Sequence, residues 1–447
     1  MMKKLFIETL GCSKNLVDSE QMLGLLDESY TLCDQPEEAE ILIVNTCSFI
    51  HDAKEESINV ILDFAKLKAE GVLETLIVTG CLSQRYPEEL LAEIPEIDAI
   101  IGTSNFYKVD EVIKKLDQDR TQKIFMESVD LQIPENLPRI LTTPSYSAYL
   151  KIAEGCDNRC TYCIIPKLRG KYRSRVLEDI IDEAKDLVSM GVKELILIAQ
   201  DTSRYGIDLY EKPTLPKLLT ALNAIEGLKW IRVQYSYPDI LDDDLLEGFF
   251  SNDKVVNYFD IPIQHASDKI LKLMNRKTTH DDILNIIQKI RKRDPEAVIR
   301  TTCIVGFPGE TEQDFNELLT LVRTVKFDRL GAFTYSNEEN TPAFKLPNQV
   351  PEAVMVERRD ALMALQMNIS ESLCYSKVGK VYEVVVEEVV EENKLYVGRT
   401  QYDSPEIDGV VYINTVGPLE IGHFIQVKII DALEYDVIGE VYHEHSK

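Results

Sequence analysis

Cys156, Cys160 and Cys163 stand in the run Glu154-Gly155-Cys156-Asp157-Asn158-Arg159-Cys160-Thr161-Tyr162-Cys163, a CxxxCxxC triplet with an aromatic residue just before its last cysteine. Three thiolates this close in sequence read as metal ligands. There are three of them and not four. A closed structural zinc site takes four protein ligands, and no His or further Cys follows at local spacing. A cubane iron–sulfur cluster held by three thiolates keeps one iron open to a substrate or cofactor, which four-cysteine electron-transfer sites do not. The triplet therefore reads as an open, reactive site, and a zinc knuckle with a distant fourth ligand is the competing reading.

A second set of cysteines is dispersed. Leu5 to Gly11, Ile41 to Thr46 and Leu76 to Gly80 are short apolar runs, each ending in a small or polar pair and followed by Cys12, Cys47 and Cys81 respectively. Each run has the length and composition of a buried parallel strand, and helical patterns over Ser19 to Leu26 and Ala53 to Lys68 fill the gaps. In an open α/β sheet the carboxyl ends of strands gather in one crevice, so Cys12, Cys47 and Cys81 are expected to converge as a second three-thiolate site. Cys33 falls outside this pattern and reads as an ordinary thiol.

The elements that position these sites divide the 447 residues into about three domains. Residues 1–120 form the first βαβ layout. Residues 121–147, with Pro134, Pro138 and Pro144, read as a linker. Residues 148–373 alternate again, with strands expected at Tyr149–Ala153, Glu194–Ala199, Trp230–Tyr235, Tyr258–Pro262, Val298–Val305 and Arg329–Thr334. This pattern predicts a full or partial (β/α) barrel with its chemistry at the carboxyl ends of the strands. A long amphipathic helix over Glu352 to Leu373 connects it to residues 374–447, where Val-rich alternation at Val381–Val386, Lys394–Thr400, Gly409–Ile413 and Phe424–Ile429 predicts a small antiparallel OB-like barrel. The fold class is thus α/β multidomain with a terminal β-barrel.

Charge and composition narrow the partners. No apolar stretch approaches membrane-spanning length and the N-terminus forms no signal-peptide core, so a cytoplasmic location without membrane attachment is expected. Nine cysteines are too few and too oddly numbered for a disulfide scaffold. A formal charge of −27 argues against a nucleic-acid backbone as the main partner and favours a basic one. From Ser376 onward there are 6 Lys or Arg against 14 Asp or Glu, so the terminal module alone carries about −8. A barrel gripping transfer RNA should be basic.

The triplet with Tyr162 resembles the signature of the radical S-adenosylmethionine (SAM) enzymes. Together with Gly11-Cys12-Ser13-Lys14-Asn15-Leu16-Val17-Asp18-Ser19-Glu20, the dispersed cysteines and the terminal barrel, the whole chain resembles a methylthiotransferase, with an N-terminal methylthiotransferase domain, a radical SAM core and a C-terminal TRAM domain. Ile198 to Gly206 and Thr301 to Glu310 resemble the branch that modifies an aspartate of ribosomal small-subunit protein twelve. Ser13 replaces a proline common in that branch, at a position that ligates nothing.

The resemblance implies two [4Fe-4S] clusters, on Cys156, Cys160 and Cys163 and on Cys12, Cys47 and Cys81, and SAM at the open iron of the first. The reaction it implies is methylthio insertion at the β-carbon of an aspartate, where no acid–base group removes a hydrogen readily. A sulfur donor and an electron donor are required as partners. Tyr162, Gln200, Asp201, Arg300 and Gly306 are the candidate SAM contacts. Cys303 reads as core, Cys374 as lacking partners and His265 as structural. The basic run Lys167 to Arg175 offers Arg169 or Arg175 to neutralise a carboxylate of SAM or of the substrate. Two other readings stay open: a transfer RNA adenosine methylthiotransferase with the same triplets, and a non-catalytic metal protein that binds a partner through its barrel.

Overall fold

A computed structural model describes residues 2–390 and 395–442. Met1, Lys394 and Lys447, which figured in the expected domain bounds, strand or charge count, lie outside the described residues. The first sheet is six-stranded and wholly parallel, in the order Thr31–Leu32, Lys4–Thr9, Ile41–Thr46, Thr75–Gly80, Ala99–Ile101, Ile124–Phe125. Strands Ile41–Thr46 and Thr75–Gly80 are buried along their whole length, as continuous apolar runs covered by helices on both faces should be. The chain reverses direction across the sheet between Lys4–Thr9 and Ile41–Thr46, which opens a crevice at their carboxyl ends. Ile124–Phe125 lies inside the expected linker, yet it pairs with Ile100 and Ile101 as the edge strand, because two apolar residues suffice to cover that edge.

The central sheet is also six-stranded and parallel, with its strands in sequence order: Ser147–Lys151, Glu194–Ile198, Trp230–Val233, Val255–Asp260, Val298–Val305 and Arg329–Thr334. It does not close, so the (β/α) barrel is partial. Its core is continuous from Ala148 to the connecting helix Glu352–Tyr375, which packs Leu362 and Ile369 against it.

The terminal strands Val381–Val390, Leu395–Thr400, Val411–Asn414, Val437–Val441 and Phe424–Ala432 form a closed barrel. One of its pairs, Val411–Asn414 with Val437–Val441, is parallel and not antiparallel as expected. The alternation of single strands is the same for either direction, so sequence does not distinguish them.

This barrel is anchored at the amino ends of the central strands. Phe424 meets Trp230 edge-on at 4.7 Å. Arg399 Nη2 donates to Glu194 Oε2 at 2.5 Å, and Arg232 Nε donates to Glu194 Oε1 at 3.0 Å, all three residues being almost wholly buried. Arg329 pairs with Asp403, and Gln234 Nε2 donates to Ser404 Oγ at 2.7 Å. Burial alone would raise the Glu194 carboxyl, but Arg399 and Arg232 hold it below its ordinary value.

Breaking a buried ion pair leaves an uncompensated charge and costs about 3–5 kcal/mol. Arg399→Met is expected to lower stability by about that amount at neutral pH, read from thermal and urea unfolding. A carboxylate whose folded pKa is depressed stabilises fully above its unfolded pKa, and the gain is lost as pH falls through the folded value. The difference between wild type and Arg399→Met should therefore shrink as pH falls below about 4.

Candidate functional site

Cys12 caps the amino end of helix Ser13–Leu26, Cys47 follows strand Ile41–Thr46 directly, and Cys81 follows strand Thr75–Gly80. All three stand at carboxyl ends around the crevice. Gly11, at φ +91°, brings them together: a Cβ there would lie 2.6 Å from Cβ of Cys47, so a side chain would push the Cys12 loop away. A polar web fixes the strand ends. Asn15 Nδ2 donates to the carbonyls of Leu10 (2.8 Å) and Thr46 (3.0 Å), and Thr46 Oγ1 donates to Thr79 O at 2.6 Å. The buried Ser57 receives a bond from the Cys47 amide and donates to its carbonyl. Burial pushes the Cys81 thiol up to about 12, Arg169 opposes this, and Cys12 and Cys47 add to the rise, so the three sulfurs lie within electrostatic reach of one another.

The compact triplet follows strand Ser147–Lys151 and the short pair Ala153–Glu154 with Arg173–Ser174. Gly155 is at φ +78°, and a Cβ there would meet Lys171 O at 2.0 Å, so the chain enters the loop pressed against its own return. Asn158 Nδ2 donates to Asp201 Oδ2 at 2.7 Å, Arg204 bridges both residues, and Tyr172 Oη donates to Asp201 O at 2.8 Å. Burial pushes Cys156 up to about 12 and raises Cys163 as well, with Cys160 adding to both shifts and Cys156 to that of Cys163. Buried thiols of this kind become thiolates only against positive charge, which a metal cluster supplies. Neither triad contains a disulfide. Among the described residues no three His, Cys, Asp or Glu side chains are gathered closely enough to hold a single metal ion.

The two sets are joined through a buried ion network. Arg169, at the end of the helix Ile165–Arg169 that follows Cys163, donates to Asp18 Oδ2 (2.8 Å), Glu154 Oε2 (3.0 Å) and Asn15 Oδ1 (2.5 Å). Lys151 pairs with Asp18 and, at 3.2 Å, with Glu154. Burial opposes ionisation of Glu154, yet Arg169 and Lys151 hold its carboxyl well below the ordinary range. Lys14 lies 3.4 Å above the Tyr235 ring, and Glu20 receives Arg139 and Thr142. The Lys14-to-Glu20 motif is therefore a docking face for the central sheet.

Across this seam Phe49 and Ile50, just beyond Cys47, meet Tyr162, Gln264, Thr302, Phe333 and Tyr335 around a mostly apolar cleft of about 190 Å³. Tyr162 thus shares a cleft with the residues just beyond Cys47. Gln200 Nε2 donates to Glu154 Oε1 at 2.8 Å, while its Oε1 is buried without a partner. The remaining candidates are drawn elsewhere. Asp201 clamps the cysteine loop, Arg300 pairs with Asp260 at 2.8 Å and approaches Asp408 of the terminal barrel, and the Gly306 amide donates to Glu310 at 2.7 Å. Arg169 and Arg175 do neutralise carboxylates, but the protein's own: Arg175 pairs with Glu135 and Glu183. His265 is wholly buried, and its Nδ1 accepts from the Ser267 amide. Cys303 and Cys374 are buried in cores.

Two residues beside Cys160 carried no sequence signal. Tyr237 Oη is 3.6 Å from its sulfur, and Arg276 Nη1 is 3.9 Å away. Both reach Cys160 from loops about 77 and 116 residues distant, and no local pattern marks such a pairing.

Three family models match the chain: the radical SAM superfamily over residues 150–322, Uncharacterized protein family UPF0004 over 4–102, and the TRAM domain over 378–441. A protein of Clostridioides difficile named ribosomal protein uS12 methylthiotransferase RimO is 57% identical, covering 99% of this chain and 100% of its own. Proteins of the same name from Lachnoclostridium phytofermentans and Thermoanaerobacter sp. are each 50% identical, over 98% of this chain and 99% and 100% of theirs. Among solved structures, the radical SAM methyltransferase TsrM of Kitasatospora setae superposes with a TM-score of 0.55 at 13% identity, over 74% of this chain and 72% of that one. The cobalamin-dependent radical enzyme OxsB gives 0.53 at 14% identity, over 82% and 56%. At such identity these two speak to the fold alone.

If each triad holds one cubane, reconstituted enzyme should carry about eight irons, Cys81→Ala and Cys160→Ala about four each, and the double variant close to none. Iron and sulfide assays read this directly, and stoichiometric zinc in place of iron would contradict it.

Proposed function

The chain belongs to the RimO family of ribosomal protein uS12 methylthiotransferases, and from that premise we propose that it inserts a methylthio group at the β-carbon of an aspartate of uS12. What supports this reading is that Cys12, Cys47 and Cys81, and likewise Cys156, Cys160 and Cys163, follow strand ends, that Arg169 ties the two regions together, and that a cleft is shared by Phe49, just beyond Cys47, and Tyr162, beside Cys163. A β-carbon hydrogen is not acidic enough for any side chain to remove. Two [4Fe-4S] clusters and SAM supply the radical and sulfur chemistry that the step needs.

The chain's own residues have definable tasks. Cys156, Cys160 and Cys163 hold the SAM-binding cluster, and Cys12, Cys47 and Cys81 the other. Gln200 Oε1, a buried acceptor without a partner, suits a donor on SAM, whose ammonium is the strongest one available. Tyr162 and Phe49 line the same mostly apolar cleft, whose walls would limit side reactions of a radical formed there. Asp201, Arg300 and Gly306 act behind this layer by fixing the loops. In this reading the N-terminal sheet, whose edge strand is Ile124–Phe125, would hold the sulfur-bearing site, the central sheet from Ser147 onward the radical site, and the terminal barrel would be the partner module.

Charge supports a protein substrate. The terminal module, at about −8, and the whole chain, at −27, attract a strongly basic ribosomal protein and repel transfer RNA. The transfer RNA reading is accordingly not favoured. Among the described residues no helix is long and apolar enough to cross a membrane, and the enzyme would act in the cytoplasm, where its substrate is made.

Mass spectrometry of uS12 from cells with and without the gene tests the function: one methylthio increment on an aspartate should disappear with the gene, and its persistence would overturn the reading. Binding of isolated uS12 should weaken steeply with salt, whereas a gel shift of transfer RNA at physiological salt would contradict the assigned role of the barrel.

A further inference from the structure

Cys160 lines a small surface pocket whose other walls are Asn158, Tyr237, Asp239, Asn275, Arg276, Lys277 and Thr278. Arg276 stacks 4.2 Å over the Tyr237 ring and, like Tyr237, reaches the Cys160 sulfur. Asn275 Nδ2 donates to Arg159 O at 3.0 Å, and the Thr161 amide donates to Met274 O at 3.0 Å. The turn 274–278, between helices Asp268–Leu273 and His280–Arg293, is therefore strapped to the cysteine loop from outside.

That turn belongs to one of the basic stretches of an acidic protein, the other being Lys167 to Arg175. Residues 269–293 contain eight Lys or Arg and two Asp or Glu, a local charge of +6 in a chain of −27. Lys277, with 66% of its side chain exposed, belongs both to the pocket at Cys160 and to a neighbouring open cleft of about 890 Å³, which Arg204, Lys289 and Lys292 also line. Three acids share that cleft, and each is engaged. Asp239 pairs with Arg204 at 2.8 Å, Asp242 caps the helix Asp243–Phe250, and Asp282 completes the capping box of His280–Arg293. Lys289 pairs with Asp243, and Lys277 has only a 3.9 Å contact to Asp239. Among the described residues, the exposed Arg159, Lys272 and Lys292 take part in no ion pair.

We infer that this face is the electron-entry port of the enzyme, the docking surface for an acidic one-electron carrier of the small flavoprotein class. The inference rests on the reading of Cys156, Cys160 and Cys163 as cluster ligands. A cluster that must be reduced once per radical event needs a donor brought close to a ligand, and here a ligand lines a small pocket in a positive surface. The anionic flavin hydroquinone gives one electron and becomes the neutral semiquinone, while the oxidised cluster gains that electron; no bond is made and no proton is transferred. Such encounters are brief and small in area, and charge attraction sets their rate.

The test is stopped-flow bleaching of the reconstituted full-length enzyme by two reductants, flavodoxin hydroquinone and the methyl viologen radical cation. At low ionic strength the double variant Lys277→Glu and Lys292→Glu should be reduced by flavodoxin about tenfold more slowly or worse, with the gap closing as salt is added. Its iron content and its rate with viologen should match the wild type. A control carrying Lys114→Glu and Lys185→Glu, both exposed and in other parts of the chain, should behave as wild type. Equal flavodoxin rates for the two double variants would overturn the port, as would slowing with viologen to the same degree, which would indicate a disturbed cluster. Failure of both reductants to bleach wild type would instead remove the cluster reading beneath it.

Discussion

Four buried charges, Asp18, Lys151, Glu154 and Arg169, hold this molecule in its working shape. Two acids and two bases balance, and each is nine-tenths buried or more. Their geometry carries a meaning that their net stabilisation does not. A buried ion group of this kind gains little over well-packed apolar residues, but removing any one member strands a charge. The network therefore admits one relative placement of the two sheets and penalises others. Asp18 lies on the helix capped by Cys12, and Arg169 ends the short helix that follows Cys163, so fixing these two side chains also fixes the two cysteine triads.

The sheets meet carboxyl end to carboxyl end. In each, parallel strands deliver loops to one edge, and in each the loops carry three thiols. A cleft is lined by Phe49 from one side and Tyr162 from the other. The terminal barrel is anchored at the opposite, amino ends through Glu194 and Trp230, while its segment from Thr400 to Asp408 reaches Gln234 just beyond the end of strand Trp230–Val233. The barrel is thus tied to the central sheet by buried pairs along its length and not by a flexible tether.

Much of this was legible in the chain. Short apolar runs ending in cysteine place Cys12, Cys47 and Cys81 at strand ends, because a parallel strand buried on both faces has few other ways to read. Strands Val298–Val305 and Arg329–Thr334 stand where their patterns predict. What was not legible depends on pairings distant in sequence. Arg169 was expected to meet a carboxylate of SAM or substrate; it meets Asp18, 151 residues away, and nothing local to either residue says so. The same holds for Arg399 with Glu194, 205 residues apart, and for Arg276 beside Cys160. The parallel pair in the terminal barrel was missed because alternation records which face is buried and not which way the neighbouring strand runs.

The central claim is that two separate clusters face each other across one seam. Electron paramagnetic resonance of the fully reduced enzyme tests it most directly, because two unpaired spins held close together alter one another's signal. The spectrum should be broadened or split relative to the sum of the spectra of Cys81→Ala and Cys160→Ala, each of which retains a single cluster. A spectrum equal to that sum would place the two clusters apart and contradict the account.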